Sequence, residues 1–378
     1  MNTQVKIRSR SYLGRAWMIM IVLIMLLYPL QNGLAQAKTE QPDPGSVSIS
    51  VFASGLDAPR GLKFGPDGYL YVAEGGTGGT NSSVGQCTQV IPPIGPYTGG
   101  PTARISKISP TGERTTVVDG LPSTQTSQIS NGMISGVADV AFVKGDLYAL
   151  LAGGGCSKGN PDVPNGIIRV NQDGSWNLIA DLSAFIMANP VKNPEEEDFE
   201  PDGTWYSMVV ANNDMYAIEP NHGELDRISP EGKISRIVDI SASQGHIVPT
   251  SVDYYQGMFY VGNLTLFPLV QGAAQIMQIS KAGKIKSIMG GFTFIVGDVF
   301  DQQGNLYVLE NTVGSPRPIP NAGEIVKVSP SGEREILATG LSLPTAMTFG
   351  PDGALYVSVH GFGYPPGAGE IVRIAFDH

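Results

Sequence analysis

The side chains of this sequence best suited to chemistry recur at matched places and form no single contiguous motif. Three residues after each of six repeated tyrosines stand Glu74, Leu151, Glu219, Asn263, Glu310 and Val359, so four of the six are carboxylate or amide. Oxygen donors of this kind, gathered into one ring, suit a divalent cation, calcium or zinc. The plainer reading is a structural pair holding each strand corner, because bases also stand at matched places: Lys107, Arg169, Arg227, Lys327 and Arg373. The chain has four histidines, and three of them, His222, His246 and His360, fall beside the same repeats, where they offer acid–base or metal work near neutral pH. Random placement in exposed loops is the simpler account of them. Arg60 and Tyr206, at the starts of two repeats, complete the candidate catalytic set. Glu195, Glu196, Glu197, Asp198 and Glu200 cluster in another loop, as solvated charge or, in the sharper reading, as a site for calcium or a cationic partner.

Familiar catalytic signatures are missing from the sequence. It holds no GxSxG elbow, no HExxH, no CxxC and no P-loop, and residues 75–79 (GGTGG) lack the full dinucleotide fingerprint. Nucleotide-dependent chemistry is therefore disfavoured.

The elements that position these residues are legible from a repeated phrase: a short apolar strand, a tight turn, then an apolar residue, Tyr and a second strand. Its copies include GLKFGPDGYLYVAE (61–74), YSMVVANNDMYAIE (206–219) and AMTFGPDGALYVSV (346–359). Tyr71, Tyr148, Tyr216, Tyr260, Tyr307 and Tyr356 are spaced by 77, 68, 44, 47 and 49 residues. The last three intervals have the length of one propeller blade, and the first two carry insertions. A second phrase, such as GEIVKVSPSGEREILATGL (323–341), supplies another hairpin per unit. After Tyr356 the chain provides only a third strand, GEIVRIAFDH, before it ends. Residues 46–56, SVSISVFASGL, have the fourth-strand pattern. The spacing predicts an all-β, six-bladed β-propeller spanning 38–378, its last blade closed by the N-terminal strand so that no edge is left bare.

Composition fits many short buried strands: 42% hydrophobic and 15% charged residues, with 48 Gly and 28 Pro. Residues 1–37 read as a secretory signal peptide, with Lys6, Arg8, Arg10 and Arg15 before an apolar stretch at 17–28 and Ala35-Gln36-Ala37 at a cleavage position. The stretch is shorter than the ~20 residues a spanning helix needs, so an uncleaved membrane anchor is the weaker reading, and no stable membrane span is expected once the leader is cleaved. The expected location is secreted or periplasmic. The full chain has a net charge of −10, and removing the leader makes the remainder more acidic, which argues against nucleic acid as a partner. Cys87 and Cys156 lie in glycine-rich loops of adjacent repeats, so an extracytoplasmic disulfide is the first reading and two buried thiols the alternative. Turns within the hairpins are short and share one face of the disc, whereas long connections gather on the other, where binding residues are expected on a rigid scaffold.

Taken together, VFASGLDAPRGLKFGPDGYLYVAEGG, the GQC loop, GVADVAFVKGDLYALLAGGGC and GLSLPTAMTFGPDGALYVSVHGFG resemble the ScyD/ScyE family of exported, NHL-like propellers across residues 46–378. The resemblance implies export and the handling of a small aromatic molecule. A second comparison is with six-bladed lactonases, which hold calcium or zinc over the channel with Glu and Asn/Asp from the inner strands. The corresponding positions here, Arg60, Ala138, Tyr206, Thr250, Val296 and Thr345, contain none of these ligand types. The expectation is a monomeric binding or scaffold protein using its long-loop face for a small molecule, glycan or extracellular protein. The alternative is a metal-assisted lactonase, lyase or isomerase in the channel mouth.

Overall fold

A computed structural model describes residues 47–194 and 198–376; the leader and Glu195, Glu196 and Glu197 lie outside the described residues. Six antiparallel sheets follow one another along the chain. From the inner strand outward, blade 1 comprises Pro59–Phe64, Leu70–Glu74, Thr98–Ile108 and Arg114–Gln125, and blade 2 comprises Val137–Val143, Asp146–Leu151, Gly166–Val170 and Trp176–Asp181. Blade 3 comprises Ser207–Ala211, Asp214–Glu219, Glu224–Ile228 and Ile234–Asp239, and blade 4 Pro249–Tyr255, Met258–Asn263, Ala274–Ser280 and Ile285–Phe292. Blade 5 is Ile295–Phe300, Leu306–Glu310, Gly323–Val328 and Arg334–Leu341. Blade 6 takes three strands from the C-terminal end, Ala346–Phe349, Leu355–Val359 and Gly369–Phe376, and its fourth, Val47–Leu56, from the other end of the chain.

That last ladder runs from Val47 opposite Phe376 to Leu56 opposite Gly369. It is secured by packing as well as by backbone bonds. Leu56 is fully buried, which is worth roughly 1.5–3 kcal/mol for such a side chain, and the Phe52 ring meets Tyr356 edge-on at 5.0 Å. Blade 1 goes beyond the expected four strands. Ile134–Ser135 pairs with Thr124 and Gln125 and makes a fifth strand, because the long insertion turns back along its own blade.

The repeated Tyr owes its place to the turn before it. In blade 1 the Asp67 carboxylate accepts the Tyr69 N–H and the Tyr71 hydroxyl, the latter at 2.9 Å; Tyr307 and Tyr356 reach Asp301 and Asp352 in the same way at 3.2 Å. The matched bases lie directly across the ladder from these tyrosines, as in Tyr71 opposite Lys107 and Tyr356 opposite Arg373. They do not pair with the carboxylates at the far end of the second strand, as the sequence suggested. Arg169, Arg227 and Arg373 instead bind the turn carboxylates Asp146, Asp214 and Asp352 at 2.8, 2.6 and 2.7 Å. Side chains at opposed ladder positions share one face, and this geometry brings the base to the turn end of the blade.

Among the described residues α-helix is confined to Leu182–Ala188, capped by Asp181 through the Ala184 N–H, and the single turn Ser241–Gln244. No helix among the described residues is long and apolar enough to cross a membrane. Cys87 and Cys156 form a disulfide with Cα atoms 6.3 Å apart, tying the blade 1 insertion to the turn after the second strand of blade 2. Around this tie, the fully buried Lys158 ammonium meets Glu200, which also accepts the Tyr97 hydroxyl at 2.8 Å.

Two outcomes follow from these ties. Deleting residues 47–56 strips the partner from Gly369–Phe376, and the variant should aggregate and lose its cooperative melt in size-exclusion and calorimetric measurements. The disulfide closes a loop with a sequence separation of 69 residues. Replacing both cysteines by Ser should therefore lower stability by about 4 kcal/mol in guanidinium unfolding, the figure expected from loop-closure entropy.

Candidate functional site

Ladder registers divide the channel wall into tiers. Nearest the long-loop face, Arg60, Ala138, Thr250 and Val296 fall within register breaks of the inner strands of blades 1, 2, 4 and 5. A bulge re-aims side chains and frees them from the ladder. Tyr206 and Thr345 occupy the same level, just before the inner strands of blades 3 and 6. Below them come Asp139, opposite Leu150, and Ser251, opposite Gly262; then Asp298, opposite Val308. Nearest the short-turn face are Lys63, opposite Tyr71, and Asp253, opposite Tyr260, from blades that face each other across a ring of six.

The top tier is closed. The Tyr206 hydroxyl donates to the Thr345 carbonyl of the opposite blade at 3.2 Å, and the Arg60 guanidinium donates to the Ile134 carbonyl while lying 3.7 Å from the centre of the Phe362 ring. Arg60 and Tyr206 also interact directly. Burial pulls Arg60 down to about 10, opposed by Tyr206, and pushes the Tyr206 phenol up to about 12, opposed by Arg60. A phenol held at that level stays protonated and works as a hydrogen-bond donor.

Beneath this cap lies a cavity of about 40 Å³ lined by Lys63, Asp139, Ser207, Ser251, Asp253 and Asp298 among others. Asp139 accepts the N–H groups of Val140 and of Met208 in the next blade, both at 2.8 Å. Burial nevertheless raises it to about 6, with Lys63 and these two donors pulling the other way. Its carboxylate fits only because residue 61 is Gly: a Cβ there would come within 1.9 Å of Asp139 Oδ1. Asp253 accepts from Tyr254 and, across to blade 5, from Phe300 at 2.9 Å. The sequence reading compared only the strand starts and so missed these three aspartates. Aligning the repeats one, two and three residues further in exposes them, in ADVAF, GDVF and TSVDYY.

The oxygen-bearing positions of the sequence reading lie at one level but face into the wall of the disc. Glu74 accepts the Asp57 N–H at 2.6 Å and pairs with Arg104 and Arg114; Glu219 accepts the N–H groups of Thr204 and His222; Glu310 accepts the Thr293 N–H at 2.5 Å. Asn263 receives the Gln275 N–H and donates to the Ile247 carbonyl, both at 2.8 Å. Glu74, Glu219 and Glu310 thus each hold the segment leading into their own blade, and Asn263 holds the corresponding segment through its amide. His222 is buried with Nε2 3.0 Å from the Glu200 carbonyl and its ring beside Phe199. His246 stands half-buried on the segment leading into blade 4. His360 places Nδ1 3.0 Å from the Ala368 carbonyl and packs on Tyr364 at 4.2 Å, with Glu370 at 3.9 Å. Of the predicted residues, the structure brings Arg60 to Tyr206 and Glu219 to His222, the latter through backbone. Among the described residues no three His, Cys, Asp or Glu side chains gather into a metal-binding group.

Buried acids recur in blade 3. Glu224 and Asp226 are fully buried, and Arg236 forms an ion pair with Glu224. Burial holds both carboxyls above their ordinary range, Glu224 further raised by the charge of Asp226.

No protein-family model matches the chain, and no curated protein matches it. Solved structures do share its shape. Regucalcin, a calcium-binding protein from Agrobacterium tumefaciens, aligns with TM-score 0.54 at 12% identity, covering 88% of this chain and 95% of that one. A Bacteroides thetaiotaomicron protein of unknown function gives 0.56 at 12% identity, over 88% of this chain and 76% of its own. A gluconolactonase from Xanthomonas campestris gives 0.50 at 10%, over 89% and 96%. These likenesses show the propeller fold.

Glu310 provides a pH test. Burial raises it from 4.5 to about 7, against the pull of the Thr293 N–H. A carboxyl with a raised folded value stabilises most below its unfolded value, and that contribution is lost as pH climbs from about 4.5 to about 7. Glu310→Gln keeps an acceptor for the Thr293 N–H without a charge. Urea titrations should find it neutral near pH 4 and more stable than the parent by on the order of 2 kcal/mol at pH 8.

Proposed function

We propose that this chain is an exported, monomeric binding propeller that takes a small planar aromatic molecule on its long-loop face, over the sealed end of the channel. The observation that carries this reading is the cap itself: a buried guanidinium stacked 3.7 Å from the Phe362 ring, with Tyr206 beside it and the His360–Tyr364 ring pair on the same loop as Phe362. Stacked Arg and aromatic rings provide flat, amphipathic surface held in place before a ligand arrives. The disulfide is compatible with life outside the cytoplasm. Glycans and extracellular proteins are the other partners such a face would serve.

A lactonase, lyase or isomerase reading has less behind it. Glu219 and Glu310 are committed to backbone donors and Glu74 to Arg104 and Arg114, the phenol of Tyr206 is held protonated, and the cavity beneath the cap, about 40 Å³, admits water-sized occupants.

Saturation-transfer NMR with indole and 4-methylphenol as probes should detect binding to the parent protein. Phe362→Ala should weaken it about tenfold, in line with ~0.5–1.5 kcal/mol for a ring contact plus its buried area. Binding that is absent, or indifferent to Phe362→Ala, sinks the proposal. Turnover of a lactone panel by the parent protein would replace it with the enzymatic reading.

A further inference from the structure

The channel below the cap contains a carboxylate that the fold leaves unserved. Asp298 is 8% exposed and lines the axial cavity, yet neither of its oxygens has a donor in hydrogen-bonding geometry; the Ser251 hydroxyl and the Lys63 ammonium lie near enough to act on its charge. Its two companions differ in this respect. Asp139 and Asp253 each receive two backbone N–H groups. A buried carboxylate without donors costs several kcal/mol unless it is neutralised or given a partner, so the cavity is built around a missing positive or hydrogen-bonding group.

Charge and donor chemistry narrow that group. Three aspartates face one lysine in the cavity lining, which leaves two negative charges in excess when all are ionised. Apart from the Lys63 ammonium, the polar side chains of the lining are carboxylates and hydroxyls, with no histidine or cysteine. Such donors suit a hard cation rather than zinc. A volume of about 40 Å³ holds an ion with a few waters and excludes organic ligands. Tyr206 and Arg60 close the long-loop end, whereas Lys63 and Asp253 are partly exposed, so access is from the short-turn side.

We infer that the axial cavity is a calcium-class cation site, with Asp298 as its direct carboxylate ligand, the Ser251 hydroxyl and water completing the shell, and Asp139 and Asp253 balancing charge from further out. The three carboxylates occupy different tiers and do not converge into a cage, so one of them carries the direct bond. Burial and the neighbouring Asp253 charge hold Asp298 above the ordinary carboxylate range, opposed by the Ser251 hydroxyl and Lys63. The site is independent of the aromatic-binding face above the cap.

Calorimetric titration of chelator-treated full-length protein with calcium chloride at pH 8, paired with melting curves, tests this inference. One calcium per chain is expected, with a rise in melting temperature that Asp298→Asn removes as it weakens binding by at least about tenfold. Lys63→Met, which deletes the competing ammonium, should tighten calcium binding. No calcium uptake by the parent overturns the proposal. So does uptake that survives Asp298→Asn, or a Lys63→Met variant that binds no more tightly.

Discussion

The ladder between Val47–Leu56 and Gly369–Phe376 is the constraint on which the rest of the molecule depends. A four-stranded blade has two apolar faces and no core of its own, so each must be covered by a neighbour. In an open row the first and last blades would each leave one face wet. Closing the circle removes that exposure and fixes the channel, because the inner strands then form a wall around one axis. Hydrogen bonds across the seams lock the wall. Thr345 Oγ1 reaches the Pro59 carbonyl at 2.8 Å, Ser207 Oγ the Thr250 carbonyl at 3.0 Å, and Thr250 Oγ1 the Ile295 carbonyl at 2.6 Å.

Carboxylates are used here mainly as internal acceptors. Glu74, Glu219 and Glu310 each take the N–H of a residue leading into their blade, while Asp139 and Asp253 take N–H groups from the following blade. A side-chain oxygen in these places satisfies backbone that the ladder cannot: Asp57, Thr204 and Thr293 lie between sheets, and Met208 and Phe300 lie on inner strands that have a ladder partner on one side only. The arrangement has an electrostatic cost. Desolvation is the largest cause of the raised values at Asp139, Asp253, Asp298 and Glu310, so acidity and architecture are coupled throughout the inner wall.

Much of this organisation is written in local sequence. The tyrosine repeat, its turn and the fourth-strand pattern of residues 46–56 each depend on neighbours within a few residues, and the blade count and the closure follow from them. The roles of individual polar residues do not. Arg227 stands within a few residues of Glu219 and Glu224, yet it pairs with Asp214, because ladder register places it at the turn end of its strand. Asp139 and Asp298 were hidden for a related reason. Register breaks one or two residues earlier shift which side chains meet the axis, and a bulge leaves little trace in composition. The fifth strand of blade 1, only two residues long, likewise depends on where a long insertion returns.

The closing ladder also orders events in time. Val47–Leu56 and Gly369–Phe376 must meet before the circle exists, so until the later segment is made the earlier one waits with an unmatched edge. Blades 1 to 5 can form one by one as they emerge, since each is contiguous in the chain, but none can acquire its final cooperativity until Gly369–Phe376 is made. A chain halted before Gly369–Phe376 is made would carry five finished blades and still lack the one contact that makes them a unit.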